Sequence, residues 1–592
     1  MNVSEFVWKR LREWGLHRVY GYPGDGVAGL DVALDRDEDM AFVQVRHEEM
    51  AAFMASAHAK FTGEVGLCYA TSGPGAIHLL TGLYDAKMDH VPVVALVGQQ
   101  ARSAIGTHYQ QEVDLQSLFK DVASDFVATA LVPAQVRHLI DRAVRIAAER
   151  RTVTCVILPN DVQELDYEEP PVAHAYTHTG VGHALRPGTP DAAALMAAAD
   201  VLNQGKRVAM LVGAGALHAT DEVIAVADRL QAGCAKALLG KAALPDDLPW
   251  VTGCIGLLGT EPSWKLMQEC DTLLMVGSSF PYSEFLPKPG KARGVQIDRD
   301  GNLLSLRYPM EVSLVGDSAA TLRALLEYLA PRERSDWRAS IEADVAQWWD
   351  KLKARAMQPA EPINPQRVFW ELSAQLPEHA ILTGDAGTAA NWYARDVRMR
   401  RGMMGSLSGT LASMGSATPY AIAAKMAFPY RPVIAMIGDG AMQMNGINAL
   451  ITISKYWRQW RNPCLVVMVL DNGDLSQVTW EERIKAGAGK TESTQEVPQF
   501  SYHRYAEMIG LRGIYVDDPE RLADAWREAL ASERPVVLQC RTDPNVPPLP
   551  PHVTPEEARK FMGMTTSEPE LGSVLKNTAR QLFAGLIPRR RR

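Results

Sequence analysis

Short, wholly apolar runs that end in glycine-rich turns recur along the whole chain, and no other feature constrains the fold as tightly. VGLCYATSGPG, VPVVALVGQ, TVTCVILPNDV, RVAMLVGAGA, DTLLMVGSSFPY, ILTGDAGT, RPVIAMIGDG and PCLVVMVLDN all share this form. Apolar runs of about four to eight residues bounded by Gly, Pro, Asn or Asp read as strands buried on both faces. Helical patterns such as EEMAAFMASAHAKFTG and DEVIAVADRLQ lie between them. Strands alternating with helices predict an α/β fold of parallel sheets covered by helices. At 592 residues the chain is too long for one core, and ~100–200 residues per domain predicts roughly three to five domains.

The pattern breaks at definite places. Around residues 166–190 the chain turns Pro-, His- and Gly-rich, which predicts a linker between a first domain, 1–165, and a second, 191–330. A charged stretch, 331–364, then leads to a third domain, 365–545, and a proline-rich opening begins a tail, 546–592. Hydrophobic residues at 47% and charged residues at 22% fit an ordinary soluble protein. A net charge of -8 gives no reason to expect nucleic acid. No apolar run approaches the ~18 residues of a membrane span, and the charges inside MNVSEFVWKRLREWG exclude a secretory signal. Seven scattered cysteines with no CxxC pair speak against a disulfide scaffold or a zinc site. The expectation is a cytoplasmic, multidomain α/β protein.

The strongest local signal is GDGAMQMNGINALITISKYWRQWRNPCLVVMVLDNGD. One buried run, Val433–Ile437, delivers Gly438-Asp439-Gly440, and a second, Leu465–Leu470, delivers Asp471-Asn472-Gly473-Asp474. In a parallel sheet the C-terminal strand ends share one edge, where ligands bind. The Asp439 carboxylate and the Asn472 amide oxygen are therefore expected side by side. Two such oxygens, a backbone carbonyl and phosphate oxygens complete what octahedral magnesium requires. The glycines let a backbone approach phosphates, and the following helix start favours their charge. GDG and DNG taken singly are also common turns.

GDG followed some thirty residues later by an Asn-containing turn resembles the diphosphate–magnesium motif of thiamine diphosphate enzymes. ATSGPGAIHLLTGLYDAKMDHVPVVALVG resembles the pyrimidine-domain segment of the pyruvate oxidase and acetolactate synthase group, and RHEEMAAFMASAHAKFTG its catalytic-glutamate helix. GSSFPYSEF and VQID are similar to flavin-contacting segments of pyruvate oxidase. The resemblance runs from about residue 3 to residue 560. It implies a pyrimidine-binding, a central FAD-binding-like and a diphosphate-binding domain.

The resemblance implies that Glu48 is the carboxylate beside the pyrimidine ring; the neighbouring Glu49 better fits a helix N-terminus. It assigns Ala412, Ser413 and Met414 to the bent cofactor, with Met414 under its two rings, although a Met is often mere core packing. Asp439, Gly440, Ala441, Asn472, Gly473, Asp474, Leu475, Ser476, Gln477 and Val478 would complete that site, with Asp439, Asn472 and Asp474 around magnesium. Asp385 resembles a position near the diphosphate and equally suits a helix cap. FAD would lie along Thr252-Gly253-Cys254-Ile255, Gly277-Ser278-Ser279-Phe280-Pro281 and Asp298, unless the middle domain retains its glycines for structure alone. GAGALHA is not a GxGxxG fingerprint, so a nicotinamide site is weakly supported.

Three departures stand out. YWRQWRN lengthens the Asp439–Asn472 interval, and the family's Asn-Asn pair is Asp471-Asn472 here. THYQQEVD places Gln110, followed by Gln111, where the pattern has Phe. Trp480 resembles a tryptophan that the synthases set near the acceptor acid. The resemblance thus implies decarboxylation of a 2-oxo acid, pyruvate first, with oxidation through FAD. A synthase-type carboligase with structural FAD and a non-catalytic member are the alternatives. It also implies a homodimer at least, and a tetramer in its fuller form. The tail, ELGSVLKNTARQLFAGLIPRRRR, invites either peripheral membrane contact or a helix packed on the body.

Overall fold

The computed structural model describes residues 1–182 and 188–584. Among them, eighteen strands form three six-stranded sheets in which every pairing is parallel. The first holds β1 (Arg18–Gly21), β2 (Ala41–Gln44), β3 (Gly66–Ala70), β4 (Val93–Gln99), β5 (Val127–Thr129) and β6 (Val153–Pro159), ordered β2-β1-β3-β4-β6-β5. The second holds β7 (Val208–Val212), β8 (Gly233–Lys236), β9 (Val251–Cys254), β10 (Thr272–Val276), β11 (Arg293–Asp298) and β12 (Val312–Val315), ordered β12-β11-β10-β7-β8-β9. The third holds β13 (Ile381–Gly384), β14 (Met404–Ser406), β15 (Val433–Gly438), β16 (Leu465–Asp471), β17 (Arg512–Val516) and β18 (Val536–Arg541). Its order, β14-β13-β15-β16-β18-β17, repeats that of the first sheet. β4, β6, β7 and β10 are buried at every residue, because helices cover both faces of an all-parallel sheet.

The outer domains share an apolar core that runs from Phe53 and Val97 to Ile437 and Val469. At its centre lies the helix Glu48–Thr62, between the helices Leu80–Met88 and Ala417–Ala427. Its abundant alanines suit this place, since small side chains permit close approach on several faces at once. A Cβ added at Gly82 would sit 2.6 Å from that of Ala52, so only glycine fits there. Phe53 and Phe61 meet the Tyr420 ring edge-on from the opposite side.

The charged stretch 331–364 is largely one helix, Asp336–Ala356, whose Ile341 and Val345 join the middle domain's core. The tail forms the helices Pro555–Gly563 and Leu571–Ala584. The second docks through buried Val574, through Asn577 Nδ2 donating to Asp543 Oδ2 (2.9 Å) and through Gln581 Nε2 donating to the Arg355 carbonyl (3.2 Å). Leu582 and Phe583 face outward, and Leu586 with the terminal arginines lies outside the described residues. Among the described residues no helix is long and apolar enough to cross a membrane.

Candidate active site

At the C-terminal edge of the third sheet, β15 and β16 lie side by side, with Gly438 in register with Leu470. Asp439 follows β15 and is 3% exposed. Its Oδ1 accepts the Gly440 N–H (2.8 Å), and its Oδ2 accepts those of Asn472 (2.9 Å) and Gly473 (2.6 Å). Burial still pushes this carboxyl up to about 7, because those N–H groups only partly replace lost water and Asp471 adds a second negative charge nearby. Asp471 has its own cation, Arg541 Nη1 at 2.7 Å; among the described residues no basic side chain pairs with Asp439. A buried acid held above its ordinary range, on oxygen-rich turns, is the environment a hard divalent cation would relieve.

Asn472 meets Asp439 through its backbone. Its side chain closes the turn instead, with Oδ1 accepting the Asp474 N–H (2.9 Å) and Nδ2 donating to Ser476 Oγ (2.7 Å). Asp474 Oδ1 accepts Thr479 Oγ1 (3.0 Å) and pairs with Lys490 Nζ (3.1 Å), while its backbone carbonyl accepts Ser476 Oγ (3.3 Å). A Cβ at Gly440 would lie 2.7 Å from Leu475 Cδ2 and 3.4 Å from Met414 Cε, so Gly440, Leu475 and Met414 crowd one spot. Ala441 and Ser476 are buried beside it, and Val478 faces solvent. YWRQWRN adds one further turn, Trp457–Gln459, after the helix Ile447–Tyr456.

Asp385 caps not the helix that follows it but the start of the helix Ala417–Ala427, across the sheet edge. Wholly buried, it accepts the N–H groups of Ala386 (3.0 Å), Gly415 (2.9 Å) and Ala417 (2.9 Å), and so ties the Met414 loop to the end of β13. Burial raises its carboxyl to about 6. Ala412, on the crest of that loop, has φ +54°. A non-glycine residue there is strained, and such strain persists only where the surroundings fix it.

Glu48 begins its helix directly after the N-cap His47, whose Nδ1 accepts the Glu49 N–H (3.3 Å). The Glu48 side chain is 11% exposed, and its Oε2 lies 2.9 Å from His78 Nδ1. Glu49 turns the other way and accepts Asn445 Nδ2 (2.8 Å) from the third domain. His78 and Asn445 escape sequence reasoning because they lie inside apolar helical patterns. The GPG turn that aims His78 at Glu48 is the one signal that could have found it.

In the middle sheet the strand order reverses between the parallel neighbours β7 and β10, and ligands of doubly wound sheets bind at such a switch point. The loops there are Gly213-Ala214-Gly215 and Gly277-Ser278-Ser279. A Cβ at Gly213 would lie 2.3 Å from the Gly277 carbonyl, and Gly277 has φ +57°. The GAGA segment, set aside above as no nicotinamide fingerprint, thus stands at the expected ligand edge. Asp298 ends β11 with its carboxyl raised by burial, and its Oδ1 accepts the Asp300 N–H (3.0 Å). A buried strand-end acid with spare acceptor capacity fits ribose hydroxyls. The Thr252 hydroxyl turns inward to the Cys234 carbonyl and Ser263, and Cys254, Ile255 and Phe280 belong to the core. Gly253, with φ +98°, offers backbone alone, while Pro281 is exposed.

On the expected substrate side, Gln110 is exposed and Gln111, with φ +61°, lies against Gly73. Gln477 is satisfied by Asn391 Nδ2 (2.7 Å) and Glu481 Oε1 (2.9 Å). Trp480 does not face an open site. It is 2% exposed, stacks with Phe561 at 6.4 Å and packs on Met564 and Val574, so the tail covers it.

Three family comparisons match in chain order. Residues 1–118 match the thiamine pyrophosphate enzyme N-terminal TPP-binding domain, 195–325 its central domain and 385–540 its C-terminal TPP-binding domain. The Bacillus subtilis protein YdaP, named for thiamine pyrophosphate, is 34% identical over 561 residues, 95% of each chain. An Escherichia coli acetolactate synthase large subunit (isozyme 3) is 31% identical over 561 residues, 90% of this chain and 93% of its own. A pyruvate oxidase of Lactiplantibacillus plantarum is 30% identical over 440 residues, 74% of this chain and 72% of its own.

Proposed function

The chain belongs to the thiamine pyrophosphate enzyme family, and on that premise we propose that it decarboxylates a small 2-oxo acid, pyruvate first, and delivers two electrons to FAD. The observation that carries this reading is the convergence of buried Asp439, which has no basic side-chain partner among the described residues, with Gly440 and Met414 on one sheet edge. Thiamine diphosphate, when bound, supplies the electron sink for loss of carbon dioxide. Asp439, Asn472 and Asp474 would hold Mg2+, and Gly440 would admit the diphosphate. Met414 would support the bend between the two rings. Glu48 would hold a proton at its carboxylate against the pyrimidine, with His78 fixing its rotamer. Gly213–Gly215, Gly277–Ser279 and Asp298 would receive FAD, and the acyl product would leave as acetate or an acyl phosphate.

A homodimer at least, and a tetramer in its fuller form, belongs to the same proposal, with Glu48 of one chain serving the diphosphate edge of the next. So do a cytoplasmic location and peripheral membrane contact through the tail. Equal liposome co-sedimentation of the full chain and a truncation at Pro569 would remove the last of these.

A second reading, an acetolactate synthase-type carboligase with structural FAD, is supported by the Escherichia coli synthase subunit, which matches 90% of this chain at 31% identity where the pyruvate oxidase matches 74% at 30%. The protein, given pyruvate, Mg2+, FAD and thiamine diphosphate without oxygen, separates the two. Bleaching of the flavin supports the oxidase. Acetolactate with persistent flavin colour supports the synthase, and neither product refutes both.

A further inference from the structure

The helix Glu48–Thr62 carries a basic group, Lys60, in its last turn, about 18 Å from Glu48 at 1.5 Å per residue. Lys60 Nζ donates to Asp89 Oδ2 (2.7 Å), to the Leu407 carbonyl (3.0 Å) and to the Tyr420 hydroxyl (2.6 Å). Asp89 in turn accepts the backbone N–H groups of Gly409 (2.9 Å) and Thr410 (2.7 Å). Asp85 stands 3.6 Å from the same ammonium and accepts the hydroxyls of Ser56 (2.7 Å) and Tyr420. Lys60, Asp85 and Asp89 belong to the first domain; residues 407–410 and Tyr420 belong to the third. The Lys60 and Asp89 side chains are 7% and 0% exposed.

These contacts grip one end of the loop whose other end Asp385 holds through Gly415 and Ala417. Between the two anchors run Thr410 to Met414, with Thr410 and Ala412 exposed and Ala412 at φ +54°. For stability alone, apolar residues of similar volume would serve as well as a buried ion pair, which repays its desolvation poorly. A carboxylate accepting two adjacent N–H groups adds direction instead, and so fixes where the loop begins.

Resting on the thiamine diphosphate reading, we propose that Lys60 and Asp89 are positioning residues, a first-domain clamp that sets the Met414 loop and thereby the grip on the cofactor's rings. The clamp does not touch the Asp439 edge, so it governs the rings and not the diphosphate.

The test titrates cofactor-stripped full-length protein calorimetrically with two probes, thiamine diphosphate with Mg2+ and inorganic diphosphate with Mg2+. Lys60→Met and Asp89→Asn are expected to weaken thiamine diphosphate by about tenfold, ~1.4 kcal/mol, and to leave inorganic diphosphate unchanged. Lys60→Arg restores most of the loss, and the near-ultraviolet circular dichroism of bound cofactor changes in the first two variants only. Equal weakening of both probes, or no weakening of either, overturns the clamp. Hydrogen exchange on the unmodified, cofactor-free protein gives an answer even if the variants fail to fold: the Gly409 and Thr410 amides are protected, and free exchange there refutes the proposal. Failure of the unmodified protein to bind thiamine diphosphate would instead refute the functional reading on which the clamp rests.

Discussion

Replacing Asp439 with Asn separates what its carboxylate does for the protein from what it does for the cofactor. The side chain is 3% exposed and accepts three backbone N–H groups. An amide of the same shape can turn its oxygen toward Asn472 and Gly473, but its NH2 then faces the Gly440 N–H. One buried donor left unpaired costs ~1–3 kcal/mol. Against that stands relief of the buried charge. A carboxyl raised to about 7 from the ordinary 3.8 carries a penalty of up to ~4 kcal/mol at neutral pH. The two effects are of similar size, so Asp439→Asn without cofactor should unfold within ~2 kcal/mol of the parent. Cofactor binding should suffer far more, because Mg2+ would lose a charged ligand. Ligand at a hundredfold excess over its Kd stabilises a protein by ~2.7 kcal/mol. Urea melts with and without thiamine diphosphate and Mg2+ should show that increment in the parent and lose it in the variant. In the parent the increment should also shrink as pH falls below about 7, where a proton competes with the metal for Asp439. An undiminished increment in Asp439→Asn would refute the reasoning.

Glu48→Gln should bind thiamine diphosphate within about threefold of the parent, ~0.7 kcal/mol, yet lose turnover; near-normal decarboxylation would remove Glu48 from its role. Glu568→Ala leaves Arg483 buried without its partner at 2.8 Å, and breaking such a pair costs ~3–5 kcal/mol; urea unfolding that shifts by less than ~1 kcal/mol would show the tail to be loosely held. Asp396 is wholly buried and raised to about 7, so the folded chain holds a proton there that the unfolded chain has released. Stability should therefore fall as pH rises from about 4 to about 7, and Asp396→Asn should flatten that slope and exceed the parent in stability at pH ~8; an unchanged slope in urea melts across that range contradicts the assignment.

The strands that set the architecture were legible because all-parallel sheets bury both faces, which writes continuous apolar runs such as VPVVALVGQ and PCLVVMVLDN into the chain. Those that sequence reading passes over are mostly sheet edges. Val127–Thr129 is only half-buried, Met404–Ser406 has three residues with a central glycine, and Val312–Val315 and Arg512–Val516 mix buried with exposed positions. Half-covered strands need no apolar run and leave no such mark. The Asp439 edge could be anticipated because turn chemistry and βαβ order place it. The partners His78, Asn445, Lys60 and Asp89 could not, since each depends on which helices meet across the shared core. Trp480 shows the same limit, for its cover lies some eighty residues further along the chain and only packing reveals it.

Release of carbon dioxide from carboxyl-labelled pyruvate tests the central claim most directly. Protein stripped of cofactor should release none, addition of thiamine diphosphate and Mg2+ together should restore release, and Glu48→Gln should stay silent under the same conditions. Cofactor-independent release, or release by Glu48→Gln equal to that of the parent, would contradict the account.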